Sequence, residues 1–169
     1  MENEIINRVA NSKLVTFDLE EFYPAGERVT VDISQWLLEG IVLKEKDFRT
    51  AIRDFNWEQY QNSFIALHCS TDAIVPGWAY MFVALEASKV AKKVVVGSLE
   101  ELESQLFTEI INGMDLSEFQ DKPVIIKGCS RKPVPQSAFV LLAQKLQPVA
   151  RSIMYGEACS AVPLFKRKK

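Results

Sequence analysis

Three cysteines, Cys69, Cys129 and Cys159, are the residues best suited to do chemistry, and each is followed directly by serine. A Val-Pro pair follows each Cys-Ser within a few residues, at Val75-Pro76, Val134-Pro135 and Val162-Pro163. A thiolate beside a helix N-terminus is stabilised by the free amides there. Thiolates are soft ligands that suit zinc, copper(I) and iron–sulphur clusters. Three of them leave one position open, which fits a catalytic zinc or a cluster with one exchangeable iron. His68, Asp72 and Glu157 are the local candidates for that position. The expected metal set is therefore Cys69, Cys129 and Cys159, with Asp72 and His68 in support. Zinc or an iron–sulphur cluster is the expected cofactor.

Two other chemistries fit the same residues. One cysteine can act as a nucleophile, with His68, the single histidine, as its base and the serines or helix amides binding an oxyanion. Alternatively, the cysteines are small core residues of a non-catalytic interaction module. No Cys-x-x-Cys pair occurs, and Gly113 and Gly128 are too isolated to form a phosphate loop. The carboxylates Asp18, Glu20 and Glu21 read as a solvated acidic face.

The elements that must position these residues can be read from hydrophobic periodicity. Residues 2–10 suggest a short helix, and segments around Leu14–Leu19 and Val29–Val31 suggest strands that pair as a hairpin across Pro24-Ala25-Gly26. Asp32 is placed to cap a helix over ISQWLLE, which Gly40 closes. Phe48, Ile52 and Phe55 fit a helix over about 44–55. From residue 64 the pattern becomes strand–helix–strand–helix, with Ser98 and Glu101 forming a capping box. Pro148 stops the helix predicted over 136–147, and the terminal Lys166-Arg167-Lys168-Lys169 reads as a solvated tail. Apolar strands alternating with helices predict an α/β fold with a mainly parallel sheet.

A repeat is visible in this region. Pro76 to Gly97 aligns without a gap on Pro135 to Gly156, matching Ala79 with Ala138, Ala84 with Ala143 and Val90-Ala91 with Val149-Ala150. Upstream, IALHCSTDAIVP resembles IIKGCSRKPVP with one residue fewer, which places Cys69 and Cys129 in equivalent positions. The expected organisation is one domain over 1–169. It has an N-terminal α+β extension over 1–63 and repeated βαβ-like units over 64–97 and 123–156. If the strands before the three cysteines run parallel in one sheet, all three thiols emerge at one edge, where ligands collect in open α/β sheets.

Composition narrows the classes. The chain has 169 residues, 48% hydrophobic and 25% charged, so a disordered or coiled-coil chain is excluded. A net charge of −2 argues against a nucleic-acid partner, and no apolar run is long enough for a membrane span. The opening MENEIINRVANS has no apolar signal core, so the expected location is the cytoplasm.

The segments EKDFR (45–49), CSTDAIVPGWAYM (69–81), IIKGCS (125–130) and YGEACSAVPLFKRKK (155–169) resemble the bacterial domain-of-unknown-function family 2480 over nearly the whole chain. That resemblance carries no activity and assigns no residue. It implies a metal- or cluster-related accessory role, with protein partners from iron–sulphur assembly.

Overall fold

A computed structural model describes residues 14–128 and 131–168, so the helix expected over 2–10 and Cys129 lie outside the described residues. The protein is mixed α/β, with strands β1 (Val15–Phe17), β2 (Arg28–Asp32), β3 (Phe64–His68), β4 (Lys93–Val96), β5 (Pro123–Ile126), β6 (Ser152–Tyr155) and β7 (Val162–Lys166). The helices are α1 (Glu45–Asp54), α2 (Gly77–Ala87), α3 (Leu99–Gly113) and α4 (Gln136–Leu146). No helix among the described residues is long and apolar enough to cross a membrane.

The strands form two sheets rather than one. One has the order β2-β3-β4 and the other β1-β5-β6-β7, and all neighbours are parallel except β6 and β7. The predicted hairpin is absent, because β1 pairs with β5 and β2 with β3. The N-terminal region supplies one outer strand to each sheet. The chain divides accordingly into an inner unit, Pro24–Gln105, and an outer unit, Met1–Tyr23 with Leu106–Lys169.

Each unit has its own core. In the inner unit Phe48 and Ile52 of α1 and Ala79, Val83 and Ala87 of α2 pack on Val31, Ile65 and Leu67 of the sheet. In the outer unit Phe107 and Ile111 of α3 and Ala138, Leu142 and Leu146 of α4 pack on Phe17, Val124, Ile126 and Ile153. These cores correspond residue by residue. Leu67 pairs with Val96 and Ile126 with Tyr155, both members lying 59 positions on. The same interval relates Phe48 to Phe107, Ile52 to Ile111 and Gln61 to Gln120.

Backbone geometry obeys the same interval. Asn62 and Asp121 both take positive φ, 60° and 56°, and donate to the carbonyls of Val90 and Val149 at 2.9 and 3.0 Å. Gly97 and Gly156, at φ 134° and 120°, donate to Leu67 and Ile126 at 2.8 and 3.0 Å. A side chain is strained at such φ values, which accounts for glycine at both positions. The repeat therefore runs from α1 through Gly97 and again from the second half of α3 through Gly156. The first strands repeat too, since Val15-Thr16-Phe17-Asp18-Leu19 matches Val29-Thr30-Val31-Asp32-Ile33 in sequence and in pairing register.

Several local expectations differ in detail. The segment after Asp32 is a 3-10 turn, Ile33–Trp36, although Asp32 does cap it and Gly40 does take positive φ. Val162–Lys166, a segment for which no strand is predicted, forms β7, whose Pro163 sits beside a register shift against β6, where a strand tolerates proline. Ser98 and Glu101 form the expected capping box, with reciprocal bonds of 2.7 and 3.2 Å.

Phe48→Ala and Phe107→Ala each remove a fully buried ring at equivalent places. Each should lower stability by about 3–5 kcal/mol in urea unfolding monitored by circular dichroism.

Candidate functional site

The strand ends carry the residues singled out above, and in each unit an aspartate organises them. Asp32 closes β2. Its Oδ1 accepts hydrogen bonds from the amides of Ser34 at 2.9 Å and Ser70 at 3.1 Å, and its Oδ2 accepts from the Ser70 hydroxyl. The Ser34 and Ser70 hydroxyls lie 3.2 Å apart. Burial alone would raise the Asp32 pKa, but these donors outweigh it and hold the carboxyl well below the usual carboxylate range. Burial pushes the Tyr80 phenol up, and the charges of Cys69 and Asp32 act in the same direction.

The loop after β3 is laced to its surroundings. Thr71 donates its hydroxyl to the Gly40 carbonyl at 2.5 Å. Cys69 is half-buried against the inner core, with Sγ 3.4 Å from the Thr71 hydroxyl and 3.6 Å from its carbonyl oxygen. His68 ends β3 opposite Asp32, and Asp72 is exposed.

In the outer unit Asp18 holds the place of Asp32. It accepts from the Glu20 amide at 2.9 Å and from Lys127 Nζ at 2.6 Å. Burial raises its pKa, while the Lys127 and Glu20 bonds lower it by more, so the carboxyl is held below its ordinary value. Lys127 is in turn raised by that bond. Glu20 accepts from the Arg131 amide at 2.9 Å, tying the next loop down.

Strand register gives a second alignment of the cysteine loops. At the interval of 59 the two strand-end loops have equal length, and the counterpart of Cys69 is Gly128 while Cys129 matches Ser70. The alignment that superposes the Cys-Ser pairs needs a gap, whereas the interval of 59 set by the strand ladders needs none. A Cβ on Gly128 would lie 2.9 Å from the Tyr155 ring, so the residue there is small because its neighbour is large. Tyr155 corresponds to Val96 in the inner unit, where Cys69 stands in place of the glycine.

Cys69 follows a strand of the three-stranded sheet, and the exposed Cys159 follows β6 of the four-stranded one. The single edge expected to gather all three thiols is therefore not built from one sheet. Among the described residues no group of three His, Cys, Asp or Glu side chains is arranged to hold a metal ion.

A second feature lies on the helix pair α1 and α2. The outward positions of α2 carry Met81 and Leu85, both 68% exposed. Beside them the Arg49 guanidinium of α1 lies 4.8 Å from the Trp78 ring and 4.9 Å from Phe82, with Arg53 5.6 Å from Phe82. Glu45 holds Arg49 at 2.9 Å. In the outer unit the matching positions are Val140 and Gln144 for the methionine and leucine, and Ser137, Leu141, Thr108 and Asn112 for the aromatic and arginine group. The signal in the sequence was a helix apolar on nearly every face, which a helix with one solvent face does not require. The outer unit has instead an open cleft of about 360 Å³ lined by Phe139, Val140, Tyr155 and Leu164, formed where β7 borders α4.

A family model describing proteins of unknown function, DUF2480, matches residues 3–167. The chain belongs to that family. No curated protein and no solved structure matches it.

The strand-end bonds predict a pH-dependent contribution from Asp32. A carboxyl with a depressed folded pKa stabilises above its unfolded pKa, about 4, and that contribution falls as pH drops toward the folded value. Asp32→Ala should lower stability by about 1 kcal/mol at pH 7. The difference from the parent protein should narrow below about pH 4 in parallel urea titrations.

Proposed function

We propose that this protein is a non-catalytic binding module that docks a helix of a partner protein on the outer face of α2, with its cysteines in structural roles. The observation that supports the reading is the contrast between the two repeats. Where the outer unit places Ser137, Thr108, Asn112 and Gln144, the inner unit places Trp78, Arg49, Arg53 and Leu85. Trp, Arg and Met are the residue types enriched at protein interfaces, and aromatic and arginine anchors contribute most of the binding energy there. Met81 and Leu85, four residues apart, offer a stripe that an amphipathic helix can cover. The cationic flank formed by Arg49 and Arg53 favours a helix with acidic residues beside its apolar stripe.

The reciprocal size relation supports a structural part for Cys69. Cysteine accompanies Val96 in one unit and glycine accompanies Tyr155 in the other. A thiol held by its neighbour Thr71 behaves as a small core side chain.

A synthetic amphipathic peptide with a leucine stripe flanked by glutamates is the probe. Its titration should perturb amide resonances in 78–88 and 49–53, and Met81→Gln with Leu85→Gln should weaken binding at least about tenfold. Cys69→Ser and Cys159→Ser should leave that affinity unchanged. Perturbations elsewhere, or none, would overturn the helix-docking reading. Stoichiometric uptake of zinc or iron that both serine variants abolish would return the cysteines to a metal site.

A further inference from the structure

The cleft beside α4 is one half of a longer groove. Two clefts of the outer unit lie end to end along this helix and share Ala143 and Leu164 in their linings. The larger, about 360 Å³, reaches Gln136 and Tyr155, where β5 and β6 end. The smaller, about 170 Å³, reaches Gln147 and Phe165, where β6 begins. The far wall is β7, and among the described residues the three-stranded sheet has no strand in that place.

Both walls are shaped locally. Phe165 lies opposite Ile153 and Pro163 opposite Met154, so Leu164 is an extra residue in β7. A bulge of this kind re-aims a side chain. Here Leu164 and Phe165 both line the smaller cleft together with Ile153 and Ala143. On the helix, Gln136, Val140, Ala143 and Gln147 recur at intervals of four, three and four, which puts them on one face. The small Ala143 stands where the two clefts meet. Val140 and Leu164 are 51% and 54% exposed, so the groove is apolar and open to solvent.

We infer that the groove binds a single unbranched acyl chain from solution, with the polar head of the ligand at the Gln136 end. Its dimensions select that occupant. From Gln136 to Gln147 the helix advances about 16 Å. Spread over that length, the two volumes give a channel on the order of 30 Å² in section. A helix, about 10 Å across with its side chains, needs more than twice that section, whereas a row of methylenes does not. The lining agrees with a chain of this kind. Among the described residues neither cleft is lined by a charged side chain, and the polar groups are the amides of Gln136, Gln144 and Gln147 and the Tyr155 hydroxyl. The head belongs at the Gln136 end because that amide and the Tyr155 hydroxyl meet there, at the carboxyl ends of the strands. The Tyr155 hydroxyl is only loosely engaged, 3.5 Å from the Gly128 carbonyl, and can turn to a ligand. The inference is independent of the α2 surface, which lies on a different element.

Titration of the full chain with decanoate below its micelle concentration, followed by amide resonances, tests it. Shifts should concentrate in 136–147 and 162–165. Octanoate should bind several-fold more weakly than decanoate, because it buries two methylenes fewer. Val140→Glu sets a charge midway along the groove at an exposed position and should weaken decanoate binding about tenfold or more. Phosphatidylcholine vesicles should leave these resonances unchanged. Shifts elsewhere or none, equal affinity for the two chain lengths, binding indifferent to Val140→Glu, or a response to vesicles without one to decanoate each overturns the inference. Should Val140→Glu fail to fold, the shift map and the chain-length series on the parent protein decide.

Discussion

Parallel strands cannot be joined by a tight turn, and this constraint shapes everything else in the molecule. Each sheet must recruit its outer strand from a distant part of the chain, setting Val31 beside Leu67 in one unit and Phe17 beside Ile126 in the other. No local turn fixes those registers. They are held at one end by carboxylates: Asp32 gathers the amides of Ser34 and Ser70, and Asp18 gathers Glu20 and Lys127. In both units the aspartate links the end of the outer strand to the chain leaving the central strand. The helices then cover one face with Phe48 and Ile52, or with Phe107 and Ile111.

The two units thus act as controls for each other. What they share is what the scaffold requires: the buried ring and isoleucine, the positive-φ residue before the central strand, the proline before the second helix and the glycine after β4 or β6. What they do not share cannot be demanded by the scaffold. The arginines stacked on Trp78 and Phe82 and the outward Leu85 belong to the inner unit. The basic loop carrying Lys127, Arg131 and Lys132, and the covering strand β7, belong to the outer one.

Much of this was legible in the sequence where the signal was local. The Ser98–Glu101 capping box, the cap at Asp32, the left-handed Gly40 and the apolar runs of β3 and β5 all depend on residues within a few positions of one another. Pairing over long distances was not legible in the same way. Pro24-Ala25-Gly26 between two short apolar segments has the look of a hairpin, yet each segment joins a different sheet. The strand in Val162–Lys166 was hidden by its proline and by its exposed position at a sheet edge. The full extent of the repeat was masked by the Cys-Ser pairs, which invited a gap where backbone geometry requires none. Structural equivalence resided in inconspicuous residues such as Gln61 and Gln120, not in the reactive ones.

The nested order of the chain has a consequence for how it is made. The inner unit is one continuous stretch, whereas the outer unit is split around it. On a ribosome, Val15–Phe17 emerges first and its partner β5 emerges only after the inner unit is complete. Meanwhile β3 is already exposed, and Val-Thr-Phe-Asp is a near copy of the Val-Thr-Val-Asp that belongs beside it. Two segments of the chain thus carry nearly the same strand motif, and one of them belongs beside β3. The distinction between them lies just ahead of the shared motif. Arg28 of β2 binds Glu103 at 2.5 Å, donates to the carbonyls of Pro24 and Gly26, and lies over the Phe64 ring. The matching position before β1 is Leu14, whose side chain has no donor with which to form any of these bonds.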